Sequence, residues 1–256
     1  MNAESNNAQT VTLRNGVEMP TLAFGCAFGD WVGATEFQGF LPEQAWRAVF
    51  LALNNGYRAF DGAHVYGTER IVGTLIGQRL ASGELTRDDL FITTKLAHPA
   101  TPPHINISHR RTWDFDKVDD IAQKVRDDMA DTLDDLGLGY VDLLLMHWPG
   151  SFAYPTDADP NFPREARATI WRAFCEIADK GAARAIGVSN FTIDHLRQLM
   201  EDVPAPAHRP AVNQVEIHPY CRDPALESFC AEHDIVVTAY APFASGAFDM
   251  LRDPVL

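Results

Sequence analysis

Several marks of specialised proteins are missing from this sequence, and each absence excludes something. Cysteine is scarce: Cys26, Cys175, Cys221 and Cys230 are the only four, and no two form a C-x-x-C pair. In a chain of 256 residues they read as reduced, mostly buried thiols, not as a disulfide frame or a zinc site. Positive charge is short. Lys and Arg number 21 against 35 Asp and Glu, for a net charge of -14. Such a chain repels phosphate backbones, which argues against nucleic-acid partners. No apolar run reaches the length of a membrane span. The opening MNAESNNAQT has no apolar h-region, so a cytoplasmic protein is expected, with residues 1–9 disordered. There is no G-x-x-x-x-G-K-[ST] loop, which excludes a P-loop NTPase. Around Ser189 there is no G-x-S-x-G elbow, since Phe191 stands where the last glycine belongs, and a serine hydrolase loses its support. The histidines are scattered. His104 and His109 fall in a Pro-rich loop and read as solvated, so no metal site is expected.

What is present is the composition of a globule with a substantial core, 46% hydrophobic and 22% charged. A single domain over 1–256 is expected. Asn15-Gly16 within VTLRNGVEMP (11–20) signals a hairpin. A strand–helix rhythm follows. Strands are predicted at 21–25, 58–61, 90–95, 141–147, 183–190, 211–218 and 235–240. Helices are predicted at 42–56, 68–83, 118–137, 164–181, 192–202 and 224–234. Thr68 is expected to cap the second helix, with Glu69 in its first turn. The four-residue spacing of Gly73 and Gly77 reads as close helix packing. The strands are near-continuous apolar runs, as in a parallel sheet buried on both faces. Two architectures fit: an open doubly wound sheet, or a (β/α)8 barrel. The long segments 97–117 and 149–163 both follow strands and are candidate substrate loops.

The strand ends carry the chemistry. Asp61, Lys95, His147, Ser189-Asn190, Gln214 and Tyr240 close successive strands, and Tyr66 lies just past Asp61. In a parallel α/β protein that edge is the active-site face. A phenol holds its proton near neutrality; an ammonium beside it favours the phenolate, and a carboxylate holds the ammonium in place. An imidazole can orient a carbonyl oxygen, so the set suits proton donation to a carbonyl. The hydride must come from elsewhere, and a nicotinamide cofactor supplies one.

DGAHVYGTE, FITTK, LLLMHWP, IGVSNF, VNQVEIHP and TAYAPF, in this order and setting, resemble the aldo-keto reductase family, from about residue 10 onward. The resemblance implies the (β/α)8 TIM barrel with an N-terminal hairpin closing its bottom. It implies NADPH-dependent reduction of a small carbonyl compound, with NADH as the alternative cofactor. Tyr66 would be the proton donor, Lys95 and Asp61 its tuning pair, and His147 the carbonyl-orienting group. Ser189, Asn190 and Gln214 would hold the nicotinamide carboxamide, and Tyr240 would stack on its ring. Ala241, Phe243 and Ser245 would lie along the pyrophosphate, and Asp61 would also reach the cofactor. Trp148, Phe28, Trp31 and Trp113 are the candidate walls of the substrate pocket.

The chain departs from the family pattern at Cys26 and Ala27, where a threonine and a bulky ring are usual, and at Ala241 and Ala244 in YAPFASG. The family pattern also continues beyond LRDPVL with a helix, an eighth strand and a final helix. This chain is therefore expected to be a truncated member with two open barrel edges, prone to self-association. The competing reading is a catalytically impaired relative that binds nucleotide or serves as an accessory protein.

Overall fold

The structure is a computed structural model that describes residues 9–32, 36–38, 41–99, 105–106, 112–113, 120–150, 162–203, 205–246 and 250–253. The expectation of disorder at 1–9 falls, save for Gln9, outside the described residues. In chain order, β1 (Thr10–Thr12) and β2 (Glu18–Pro20) form an antiparallel hairpin. Gly16 takes φ 82° at its tip, a conformation that glycine adopts without a Cβ penalty. Then come β3 (Phe24–Gly25), β4 (Asp30–Val32), β5 (Glu36–Gln38), α1 (Pro42–Asn54), β6 (Ala59–Asp61), α2 (Glu69–Ala81), β7 (Phe91–Leu96), β8 (Ile105–Asn106) and α3 (Ile121–Leu136). The chain continues through β9 (Val141–Met146), α4 (Phe162–Asp179), β10 (Ala183–Ser189), α5 (Ile193–Asp202), β11 (Val212–Glu216), α6 (Pro224–Glu232) and β12 (Val236–Tyr240).

Seven strands pair in the order β3-β6-β7-β9-β10-β11-β12, every pair parallel. This is the (β/α) barrel arrangement, not the doubly wound sheet, in which the strand order would reverse midway. Asn15 donates to the Arg184 carbonyl at 2.8 Å and Arg14 to that of Pro206 at 2.9 Å, so the hairpin is docked against the start of β10 and the turn before β11. Small antiparallel β4 and β5, with β8 parallel to β5, make a sheet that the sequence pattern does not announce.

Alternation of side chains along each strand sorts the core into two layers. Ala59, Phe91, Leu143, Leu145, Ala185 and Val212 pack with Leu13, Val17 and Met19 of the hairpin, inside the barrel. Phe60, Ile92, Leu144, Met146, Ile186 and Val188 pack instead against the helices. Continuing the inner parity toward the C-terminal ends gives Asp61, Lys95, His147, Ser189, Gln214 and Tyr240. The apolar core and the polar set are therefore one register read at two heights.

Two glycines permit close approach. A Cβ on Gly73 would lie 2.4 Å from the Leu136 carbonyl oxygen, so α2 and α3 touch there. A Cβ on Gly187 would lie 2.6 Å from that of Val212. Gly77, by contrast, faces open space, and only half of the expected glycine pair serves packing.

Candidate active site

Asp61 ends β6, and a single 3-10 turn, His64–Tyr66, lifts the phenol above it. Gly67 closes the turn at φ 70°. The next residue departs from expectation. Thr68 is helical, at φ -95° and ψ -7°, and caps nothing. Its hydroxyl donates to the Cys26 carbonyl at 2.9 Å, tying the turn to the chain after β3.

Lys95 is only 2% exposed at the end of β7. Its Nζ donates to Asp61 Oδ1 at 2.8 Å and to the Gly62 carbonyl at 2.9 Å. The same ammonium stands 5.2 Å from the centre of the Tyr66 ring. His147 follows β9, its backbone N–H bonded to the Leu96 carbonyl at 2.8 Å. Its ring centre lies 5.7 Å from that of Tyr66, edge to face. The four groups expected to act together are thus adjacent.

Their electrostatics differ in one respect from the expectation. Burial would discharge Lys95, but Asp61 and Tyr66 outweigh it and hold the ammonium above its usual range. Tyr66 keeps part of its surface open. Even so, the protein packed around it raises its pKa, and the pull of Lys95 in the other direction does not win. The phenol is therefore fully protonated near neutrality. Burial, reinforced by His98 and Lys95, holds His147 well below the usual imidazole range, so it is neutral.

A second imidazole sits beside His147. The His98 ring is 4.7 Å from His147 and 6.4 Å from Trp148. Ala97 takes φ 61° to turn it there, a left-handed conformation costing on the order of 1 kcal/mol. Because a carbonyl can only accept, His98 Nδ1 must donate to Pro99 O, at 2.8 Å. Sequence reasoning passed over His98; its place three residues past Lys95 was the available signal.

On the other flank, Ser189, Asn190, Gln214 and Tyr240 come together. Ser189 Oγ donates to the Gln214 carbonyl at 2.8 Å. Asn190, at φ 63°, donates from Nδ2 to the His147 carbonyl at 3.0 Å and to Ser189 Oγ at 3.1 Å, and accepts from the Tyr240 hydroxyl at 2.8 Å. Gln214 is buried, yet its carboxamide makes no hydrogen bond among the described residues. A primary amide ligand would satisfy it, so these strand ends fit a nicotinamide. Ala241, Ala244 and Ser245 all have φ between 47° and 51°, which turns the backbone sharply past β12. Phe243 there is 61% exposed.

The pocket expectations fare unevenly. Trp148 is half-buried at the mouth beside His98. Phe28 packs against Phe24 at 6.3 Å between ring centres. The Trp31 side chain lies outside the described residues, as do most of segments 97–117 and 149–163. Trp113 is a correction. It is fully buried, its indole N–H bonded to Asp128 of α3 at 2.7 Å, so it belongs to the core and not to a pocket wall. Among the described residues no group of His, Cys, Asp and Glu could hold a metal.

Residues 24–254 match the family model described as the Aldo/keto reductase family. The chain belongs to this family. It is 36% identical over 247 residues to aldo-keto reductase family 1 member A1-A of Danio rerio, covering 92% of this chain and 65% of that protein. It is 35% identical to the D/L-glyceraldehyde reductase of Hypocrea jecorina, covering 94% of this chain and 65% of that one. The chain thus spans about two thirds of the length of these relatives. Among solved structures, the aldo/keto reductase of Brucella melitensis superposes with a TM-score of 0.71 at 29% identity, over 97% of this chain and 76% of that one. The Bombyx mori aldo-keto reductase in complex with NADP superposes with a TM-score of 0.69 at 29% identity, over 92% and 66%. Among aldo/keto reductases, then, this chain is a (β/α) barrel whose described residues supply seven parallel strands.

Proposed function

We propose that this chain reduces an aldehyde or ketone to the alcohol, with Tyr66 as general acid and NADPH as the hydride source. The observation that carries this is the buried Lys95 ammonium, bonded to Asp61 at 2.8 Å and 5.2 Å from the Tyr66 ring. A buried cation paired on one side and facing a phenol on the other has little structural use, since apolar packing would stabilise the site as well. A reduced nicotinamide, when bound, supplies the hydride that no side chain can.

The chain's own residues do the rest. The gap between Tyr66 and His147 receives the carbonyl oxygen. The neutral His147 donates one N–H to it and fixes its direction. Tyr66 delivers its proton as negative charge develops on that oxygen. Lys95 then stabilises the phenolate left behind, offsetting part of what burial costs that anion. Asp61 keeps the ammonium from drifting. Gln214, Ser189 and Asn190 would hold the nicotinamide carboxamide, and Tyr240 would lie along its ring.

Relatives named as glyceraldehyde, aldose and xylose reductases support a small polar aldehyde as substrate. The test is NADPH oxidation at 340 nm with glyceraldehyde and with benzaldehyde, beside Tyr66→Phe. Turnover that vanishes in Tyr66→Phe while NADPH still quenches tryptophan fluorescence bears the reading out. Cofactor binding without turnover in a cooperatively melting wild-type sample would move the chain to a nucleotide-binding, accessory role.

A further inference from the structure

The turn that carries Tyr66 is thinly held by its own backbone. Tyr66 N–H reaches the Ala63 carbonyl at 3.0 Å and Gly67 N–H reaches that of His64 at 3.4 Å. A 3-10 turn this short has poor hydrogen-bond geometry and needs outside support. Behind it, on the side away from the cleft, lies a buried polar set that the chemistry above does not use.

His64 is 3% exposed and points between α2 and α3. Its Nδ1 is 3.1 Å from Thr132 Oγ1, and that hydroxyl donates to Glu69 Oε2 at 3.2 Å. A hydroxyl has one proton. With it given to a carboxylate, Thr132 must accept from His64, so Nδ1 is the donor. The other oxygen of Glu69 accepts from the Thr94 hydroxyl at 2.6 Å. Thr94 precedes Lys95 on β7 and faces the helices, as Lys95 faces the barrel interior. On its far side, His64 Nε2 lies 3.6 Å from Asp128 Oδ1. Asp128 is itself fixed by the Trp113 indole at 2.7 Å and by Lys124 at 3.0 Å.

The linkage has a direction. One carboxylate, Glu69, joins the residue beside Lys95 to the imidazole two residues before Tyr66. Thr94, Glu69, Thr132 and His64 are all at most 3% exposed, so none can meet substrate. Polar groups buried so fully are costly unless their geometry is held, and here each bond spans different elements. We propose that His64 and Glu69 are positioning residues that set the height of Tyr66 against Lys95. This rests on reading Tyr66 as the acid. On its other side the same imidazole faces Asp128, which Trp113 holds in turn.

The test uses four variants of the full chain and three readouts. His64→Leu removes both ring nitrogens. His64→Asn keeps an amide donor where Nδ1 stands. Thr132→Val removes the hydroxyl without changing volume, and Tyr66→Phe identifies the Tyr66 signal in 13C-tyrosine NMR. In His64→Leu and Thr132→Val the Tyr66 signal is expected to shift and kcat to fall about tenfold to a hundredfold. The Kd for NADPH should stay within about twofold, since the cofactor groups are on other strands. His64→Asn should bring the signal and most of kcat back. An unmoved Tyr66 signal in folded His64→Leu or Thr132→Val overturns the proposal, as does an Asn variant no better than Leu. If His64→Leu fails to fold, Thr132→Val alone decides. A shifted signal together with full activity in Tyr66→Phe would keep the positioning role and discard Tyr66 as the acid.

Discussion

The two flanks of the site are built differently. On the β6–β7–β9 flank, Lys95 and His147 are buried and Tyr66 is ringed by protein. Strands β7 and β9 are buried along their whole length. On the β10–β12 flank, Ser189 and Gln214 are buried while Asn190 and Tyr240 are half-buried. The polar groups also spend their bonds differently. Lys95 is committed to Asp61, a partner it would keep throughout a reaction. Tyr240 is bonded to Asn190, and that bond joins two groups expected to serve the cofactor. Under the proposed function, the first flank would be preorganised for charge that develops in a transition state. The second holds itself together by bonds that a ligand can share or replace. Chemistry tolerates little movement; cofactor exchange requires some.

That contrast can be broken at its strongest point first. Lys95→Met should cut kcat by about a hundredfold or more, within the range typical of general-acid function, and leave NADPH affinity nearly intact. A near-wild-type rate, measured under saturating cofactor, would end the claim that the buried flank does the chemistry. Asn190→Ala probes the other flank. It removes three hydrogen bonds joining the ends of β9, β10 and β12. We expect Kd for NADPH, from fluorescence titration, to weaken about tenfold, each 1.4 kcal/mol being a factor of ten, with a smaller change in the rate at saturation. A kcat collapse with unchanged Kd would show that the flanks are not separable.

Acid should separate them more gently. Burial holds His98 down to about 4, from an ordinary value near 6.5. The folded state thus binds its proton later than the unfolded state does. Stability conferred by the neutral ring is complete above about 6.5 and is lost as pH falls toward about 4. His147, also depressed, acts in the same direction. The wild-type Tm should therefore drop more steeply between those pH values than that of His98→Asn. Parallel curves would show that His98 titrates normally. The smallest effect is expected from Thr68→Val, which strands the Cys26 carbonyl and should cost about 1 kcal/mol in urea unfolding without altering cofactor affinity. A neutral result would mean that water replaces the hydroxyl.

Much of this was legible in the sequence because both halves of the code were periodic. Alternation of apolar and helical segments placed the strands and helices, the family resemblance chose the barrel over the doubly wound sheet, and the last inward residue of each strand marked the polar set. Thr68 misled because a threonine before an acidic first turn has the form of a cap; a carbonyl 42 residues earlier in the chain took its hydroxyl. Trp113 misled because its long loop suggested a pocket, while Asp128 of α3 held its indole in the core. Glu69 read only as an acidic residue in the first turn of its helix. Only the fold shows that it is 2% exposed and bonded to Thr94 and Thr132, residues 25 and 63 positions away. Local pattern predicts local roles, and none of these three residues has one. The sheet of β4, β5 and β8 escaped for the same reason, since its third strand enters from residues 105–106.

Gly73 gives the helices behind the site a shared fate. With no side chain there, α2 rests directly on the Leu136 carbonyl at the end of α3, and no flexible group lies between the two backbones to absorb a displacement. Opening one helix means opening the other. Amide protons along α2 and α3 should then exchange with solvent at a common free energy, as one cooperative unit, although 39 residues of chain separate the two helix ends.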